Sequence, residues 1–413
     1  MAIIRPFRAL RPAPKLAAQV AALPYDVMNT EEAREMAAGN PYSFLHVSRA
    51  EIDLPVGIDV HLPVVYEKAS ENFQKFIQNG TLVQDAKPCL YVYAQTMNGR
   101  RQTGLVACSS IEDYFNDVIK KHEYTRPEKE QDRIEHMLVV KAHVGPIFLT
   151  YAPHAGMKQI VAAVVTGTPV NDFTSEDGIR HQLWVIDNDK DVAAISGFFQ
   201  KDIPYTYIAD GHHRTASAAK VGQKLRDQNP AHTGQEEYNY FLSVLFPADE
   251  LAIMDYNRVI KDLNGMSKEI LLAGLKEKFE ISEIDNASAK PTQLHEFAMY
   301  LDHQWYRLTA FVGTYATDPI GILDASVLQN NVLTPLFGIV DQRTDKRIDF
   351  VGGIRGLGQL EKRVDSGEMA VAFALYPVSL PQLMDIADSG NVMPPKSTWF
   401  EPKLRDGLVC HLF

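Results

Sequence analysis

The chain has 413 residues, of which 46% are hydrophobic and 23% charged, with a formal net charge of -11. That length exceeds one modest core, so two or three globular lobes are expected, and no window offers the roughly eighteen apolar residues of a membrane span. The acidic balance disfavours a broad nucleic-acid surface, and Cys89, Cys108 and Cys410 are spaced for neither a disulfide framework nor a paired-thiol metal knuckle.

MAIIRPFRALRPAP carries basic residues and prolines but no apolar stretch leading to a small-residue cleavage site. A secretory signal is therefore not expected, and a reducing cytoplasm is the expected location. In LPYDVMNTEEAREMAAGNPYSFLHV, Asn29 and Glu32 form a capping box that predicts a helix, and Gly39, Asn40 and Pro41 end it. Ser43 to Val47 reads as a strand. Residues 63 to 79 form an amphipathic helix on Val64, Tyr66, Phe73 and Phe76. Strands follow at Cys89 to Gln95 and Arg101 to Ala107, joined by the hairpin signal MNGR.

Further on, Thr125 and Glu128 predict a second capping box, with Pro127 in the first turn of its helix. IFLTYA, VAAVV, HQLWVI, YTYIA and YFLSVLFP read as strands, and residues 213 to 226 as a helix. From about 265 a charged helix leads into the polar run SEIDNASAK, which marks the expected boundary between a main region, 1–265, and a C-terminal lobe, 266–413. An α/β rhythm then resumes with WYRLTAFV, MAVAFALYPVS and a helix from Leu380 to Ala387, and the chain ends in a stretch rich in glycine and proline.

The most informative stretch is YIADGHHRTASAA, Tyr207 to Ala219. A strand pattern runs into Asp210 and Gly211, and a helix pattern starts just beyond. Unpaired N–H groups and the positive end of the helix dipole collect at such a turn, ready for an anion. Gly211 lets backbone approach a ligand, and Arg214 adds a fork suited to phosphate oxygens. Zinc on Asp210, His212 and His213 is the rival reading. Adjacent histidines at a helix start converge poorly on one small ion, however, and Arg214 would repel it. The bland alternative is that Asp210 caps the helix while a histidine packs against a strand.

Two other polar clusters stand out. KHEYTRPEKEQDRIEH places Lys129, Asp132, Arg133 and His136 on neighbouring helix faces, with His122 and Glu123 just before the cap, free to point into a cleft, and Glu123 a candidate general base. A solvated, salt-bridged helix is its structural alternative. MPPKSTWFEPKLRDGLVCHLF offers Lys396, Ser397 and Lys403 as donors to a phosphorylated ligand, without the glycines of GxxxxGK[ST]. A docked tail is the alternative there. GGIRGLG, at 352–358, departs from the dinucleotide spacing and reads as a loop.

Five segments give the chain a family resemblance: RPFRALRP, LPYDV, KHEYTRPEKEQDR, ADGHHRTASA and MPPKSTWFEPKLRDGL. In this order they resemble the bacterial and archaeal family known as domain of unknown function 1015. The DGHHR turn is in addition similar to the ParB/sulfiredoxin-like superfamily, whose members hydrolyse CTP, use ATP to activate a sulfinic acid, or phosphorylate free serine. The resemblance implies an α/β (α+β) mixed-sheet protein with a ParB/sulfiredoxin-like core and an additional C-terminal lobe. It places Asp210, Gly211, His212, His213 and Arg214 at a nucleotide-phosphate site. The motif holds His212 and His213 in place of the thiol that sulfiredoxins need, which argues against sulfinic-acid reduction.

The resulting expectation is a phosphate- or nucleotide-binding protein, as a kinase moving phosphate from ATP or ADP to a small hydroxylated metabolite. Asp210, Gly211, Arg214, Arg133, Lys396, Ser397 and Lys403 would bind phosphates, Asp210 would contact Mg2+, and Glu123, His212 or His213 would act in catalysis. A nucleotide-hydrolysing or nucleotide-sensing regulator and a scaffold without chemistry are the alternatives. The expected partner is a small phosphorylated ligand rather than a membrane or nucleic acid, with a homodimer as a further expectation.

Overall fold

The computed structural model describes all 413 residues, which divide into two compact units: 1–251 together with 402–413, and 252–401. The polar run suggested one boundary near 265. The structure instead divides the chain after Leu251 and returns the segment from Pro402 to Phe413 to the first unit. No helix is long and apolar enough to cross a membrane.

A mixed nine-stranded sheet forms the first unit. Its order is Ile119–Lys120, Thr206–Asp210, Ile147–Tyr151, Tyr240–Pro247, Arg100–Ser110, Leu90–Met97, Arg180–Ile186 and Asn171–Thr174, and Ile4–Arg5 also pairs with Arg100–Ser110. Thr206–Asp210 runs parallel to Ile119–Lys120 and antiparallel to Ile147–Tyr151, while Ile147–Tyr151 and Tyr240–Pro247 are parallel. The hairpin from Leu90–Met97 to Arg100–Ser110 turns on Asn98 and Gly99, at φ 51° and 79°. Both angles are left-handed, as a two-residue turn matching strand twist requires.

The central strands are covered on both faces, so they read as nearly continuous apolar runs. One buried cluster is built on Leu90, Val92, Leu105, Leu149 and Ile208, with Ala218, Ala219 and Val221 of the following helix. A second cluster holds the N-terminal helices together through Phe44, Val65, Phe73 and Phe76.

Three elements differ from their sequence-based expectation. Leu45–Ser48 is a helical turn, not a strand, because Phe44, Leu45 and Val47 all bury into that second cluster. A short apolar run carries no period that separates the two states. VAAVV lies in the helix Ala155–Val164 and its end, where alanine spacing prevails over β-branching. The helix Pro127–Val140 has Arg126 at its N-cap without a side-chain cap, since the Thr125 hydroxyl donates to the Glu130 carboxylate instead. At Thr30–Ala37, by contrast, the Asn29–Glu32 capping box is present in full.

The second unit is built on six antiparallel strands in the order Phe279–Ile284, Gln304–Ala310, Glu296–Leu301, Val371–Ala374, Tyr256–Ile260 and Ile348–Gly352. The polar run at 282–290 falls on its first edge strand and the short helical turn beyond. Polar residues suit an edge as well as a boundary, because they discourage strand addition.

Candidate functional site

Thr206–Asp210 leads through Gly211 directly into the helix His212–Gln228. Gly211 sits at φ 94° and ψ 35°, a left-handed conformation that glycine adopts without a Cβ penalty. The Thr215 hydroxyl donates to the Gly211 carbonyl at 2.9 Å and tightens the first turn. Close helix packing needs Gly222, where a Cβ would stand 2.2 Å from the Tyr238 carbonyl oxygen. The first-turn N–H groups, from His212 onward, have no intrahelical acceptors.

Charge is concentrated beside this turn. Asp210 Oδ1 accepts the Gly211 N–H at 3.0 Å, and Oδ2 lies 3.3 Å from Lys403 Nζ and 3.7 Å from Arg214 Nη2. Burial pushes the Asp210 carboxyl up, but Lys403 and Arg214 outweigh it and hold the group below the usual carboxylate range. Arg214 is 8% exposed and donates from Nη1 to the Pro146 carbonyl at 2.8 Å, while its buried Nε has no partner. Burial disfavours that cation, yet Asp26, Asp210 and Asp406 hold its pKa above the ordinary arginine value.

The C-terminal segment is fixed by the sheet. Gln95 Nε2 donates to the Lys403 carbonyl at 2.8 Å. Arg405 donates from Nε to His181 Nε2 at 3.2 Å and from Nη2 to Ser175 Oγ at 3.1 Å, and it pairs with Asp177. Lys403 thus reaches Asp210 from a well-anchored backbone.

The histidines divide by environment. His212 packs edge-on against His122, with ring centroids 4.4 Å apart, and its Nδ1 lies 3.6 Å from Glu123 Oε2. Burial pushes His122 down to about 4 and His212 well below its ordinary value, so both rings are neutral at pH 7. His213 is lowered chiefly by burial, and its Nε2 accepts the Arg126 N–H at 3.0 Å, tying the two helix starts together.

One turn therefore gathers Glu123, Asp210, Gly211, His212, His213, Arg214 and Lys403. Arg133 lines a recess that Arg214 also lines; its guanidinium lies 3.9 Å over the Tyr25 ring and 2.6 Å from Asp132. Lys396 and Ser397 belong to the second unit, where Lys396 Nζ stands 5.7 Å from the Tyr256 ring and Ser397 donates to the Pro394 carbonyl at 2.8 Å. No three His, Cys, Asp or Glu side chains converge as a metal-ligand set. His122, beside Glu123 ahead of the helix, joins this neighbourhood as its position allows; Tyr25 and Asp406 also belong to it and lack any spacing that singles them out. The available signal for Asp406 was a charged pair, Arg405–Asp406, set between leucines in KLRDGL.

The mixed sheet and the cation-flanked aspartate define an α/β protein with a strand–glycine–helix polar site. Residues 4–326 match the family described as Protein of unknown function (DUF1015), and the chain belongs to that family. No curated protein matches it. Among solved structures it is similar to a free serine kinase in complex with AMP, at 16% identity and a TM-score of 0.34, covering 70% of this chain and 89% of that one. It is also similar to SbnI with a C-terminal truncation from Staphylococcus aureus, at 10% identity and a TM-score of 0.37, covering 73% of this chain and 85% of that one. A conserved hypothetical protein from Pyrococcus furiosus is similar at 16% identity and a TM-score of 0.33, with 70% and 90% covered.

Proposed function

We propose that this protein binds a nucleotide by its phosphates at the Asp210–Arg214 turn and transfers phosphate from ATP or ADP to a small hydroxylated metabolite. The observation that carries this reading is the pair of cations, Arg214 and Lys403, held around Asp210 at the start of a helix. Such an arrangement supplies positive charge and N–H donors without reorganisation when phosphate charge develops. Asp210 keeps both cations oriented while the site is open. Phosphate oxygens offer the same cations a stronger, doubly charged partner.

Magnesium usually binds through one or two carboxylates together with phosphates, and when bound it neutralises charge on the transferred group. Asp210 is the carboxylate placed to meet it, in exchange for its ion pair with Lys403. The acceptor's proton needs a base near this turn. Burial makes His212 and His213 weak bases, so a carboxylate serves better.

The test is incubation with ATP or ADP and Mg2+ over a panel of hydroxyl compounds that includes free serine, read by mass spectrometry. Appearance of a phosphorylated acceptor, abolished in Arg214→Gln, supports transfer. Release of inorganic phosphate alone, independent of every acceptor, would replace transfer by nucleotide hydrolysis.

A further inference from the structure

Three buried polar atoms without hydrogen-bond partners, Asp406 Oδ1, Arg214 Nε and His143 Nε2, belong to side chains that line one recess of the first unit. Deeply buried polar groups are nearly always paired, so three orphans around one space point to a polar occupant. Asp406 is 2% exposed, and its Oδ1 rests against Gly145, where a Cβ would stand only 2.4 Å away. Tyr25 and Arg133 form another wall and are shared with a neighbouring recess, which extends past Arg49, Glu51 and Tyr66. The inner recess suits the head of a ligand, and the outer one suits its body.

We propose that this recess is the acceptor subsite: it takes the hydroxyl-bearing end of a small polar metabolite, and Asp406 accepts the hydroxyl proton. The inference rests on the nucleotide reading above and adds to it the place and the base for the second substrate. Arg214 connects the two halves, because it lines the recess and also faces Asp210 at the helix start. In the transfer, the acceptor oxygen forms a bond to the terminal phosphorus as the bond from that phosphorus to its bridging oxygen breaks. The electron pair of the broken bond stays on the departing nucleotide, and the hydroxyl proton goes to the Asp406 carboxylate.

Burial pushes the Asp406 carboxyl up to about 7, with Arg214 and Arg133 acting against the rise and Asp26 adding to it. Tyr25, His136 and His143 are the other titratable groups around the recess, and burial holds both histidines neutral. A base must be ionised to accept a proton. Turnover therefore rises as pH passes upward through the Asp406 value.

The experiment measures ATP affinity by calorimetry and turnover in Mg2+ with glycerol, L-serine or water as the acceptor probe. Parent protein is compared with Asp406→Asn and with Gly145→Ala, whose added methyl intrudes on the recess beside the Asp406 carboxylate. The expected result is a loss of turnover of about a hundredfold or more in both variants, within the range for removing a general base. ATP affinity stays within about threefold, and the rise of rate with pH disappears in Asp406→Asn. Turnover by Asp406→Asn at the parental rate overturns the proposal, as does a parent that binds ATP yet turns over none of the three probes. Failure of the parent to bind ATP overturns the nucleotide reading itself, and the subsite with it.

Discussion

Two buried arginines, one in each unit, show how differently the fold treats the same charge. Arg258 in the second unit is 1% exposed, and its acceptors are neutral: Gln342 Oε1 at 3.2 Å, the Pro395 carbonyl at 3.1 Å and the Tyr256 carbonyl. Burial accordingly pulls it down to about 10. Arg214 in the first unit is raised instead, with Asp26, Asp210 and Asp406 around it, and yet it keeps one N–H without an acceptor. Arg258 uses its donors to clamp strand to loop. Arg214 holds a surplus of carboxylates and an uncommitted donor, an arrangement that gains once an anion and an acceptor arrive.

Substitutions can break this contrast. The largest effect is expected for Arg258→Met, which leaves one buried and two partly buried acceptors unpaired and removes about 3 kcal/mol from the stability of the second unit. Urea unfolding should register that loss while calorimetry finds unchanged ATP affinity. Arg214→Gln should do the reverse, weakening ATP binding by about 2 kcal/mol, roughly thirtyfold, through the lost charge-assisted contacts. Lys403→Met comes next, with about tenfold weaker ATP binding and a flatter dependence on salt, since one phosphate cation is removed.

The smallest effect concerns His122. Its folded-state value lies below that of the unfolded chain, so its contribution to stability is present above the unfolded value and is lost as pH falls toward about 4. His122→Gln lacks that titration. Between about pH 7 and about pH 5.5 the variant should gain roughly 1 kcal/mol relative to the parent, measured as the difference between their urea midpoints at each pH. A constant difference would mean that His122 is not held neutral by its burial.

The same contrast explains what was legible in the sequence. The strand, glycine turn and helix around DGHHR were readable because each rests on local chemistry: β-branched and aromatic residues before Asp210, a left-handed glycine, then small helix formers. Lys403 was legible only as a cationic donor by residue type, and the register of the C-terminal segment on the sheet is what brings it to Asp210. Asp406 had no such mark, because its chemistry comes from what encloses it rather than from its neighbours in the chain; His122 was marked only by its place ahead of a helix, and its burial was not legible there. Ser43 to Val47 and VAAVV misled for a related reason: segments of five residues have no period of their own, and tertiary packing chose helix for both.

Calorimetric titration of the parent and of folded Arg214→Gln with ATP, ADP and CTP in Mg2+ addresses the central claim most directly. The account predicts saturable binding of at least one of these nucleotides to the parent, weakened about thirtyfold in the variant. Equal affinity in the two proteins, or no heat from the parent with any of the three, would contradict it.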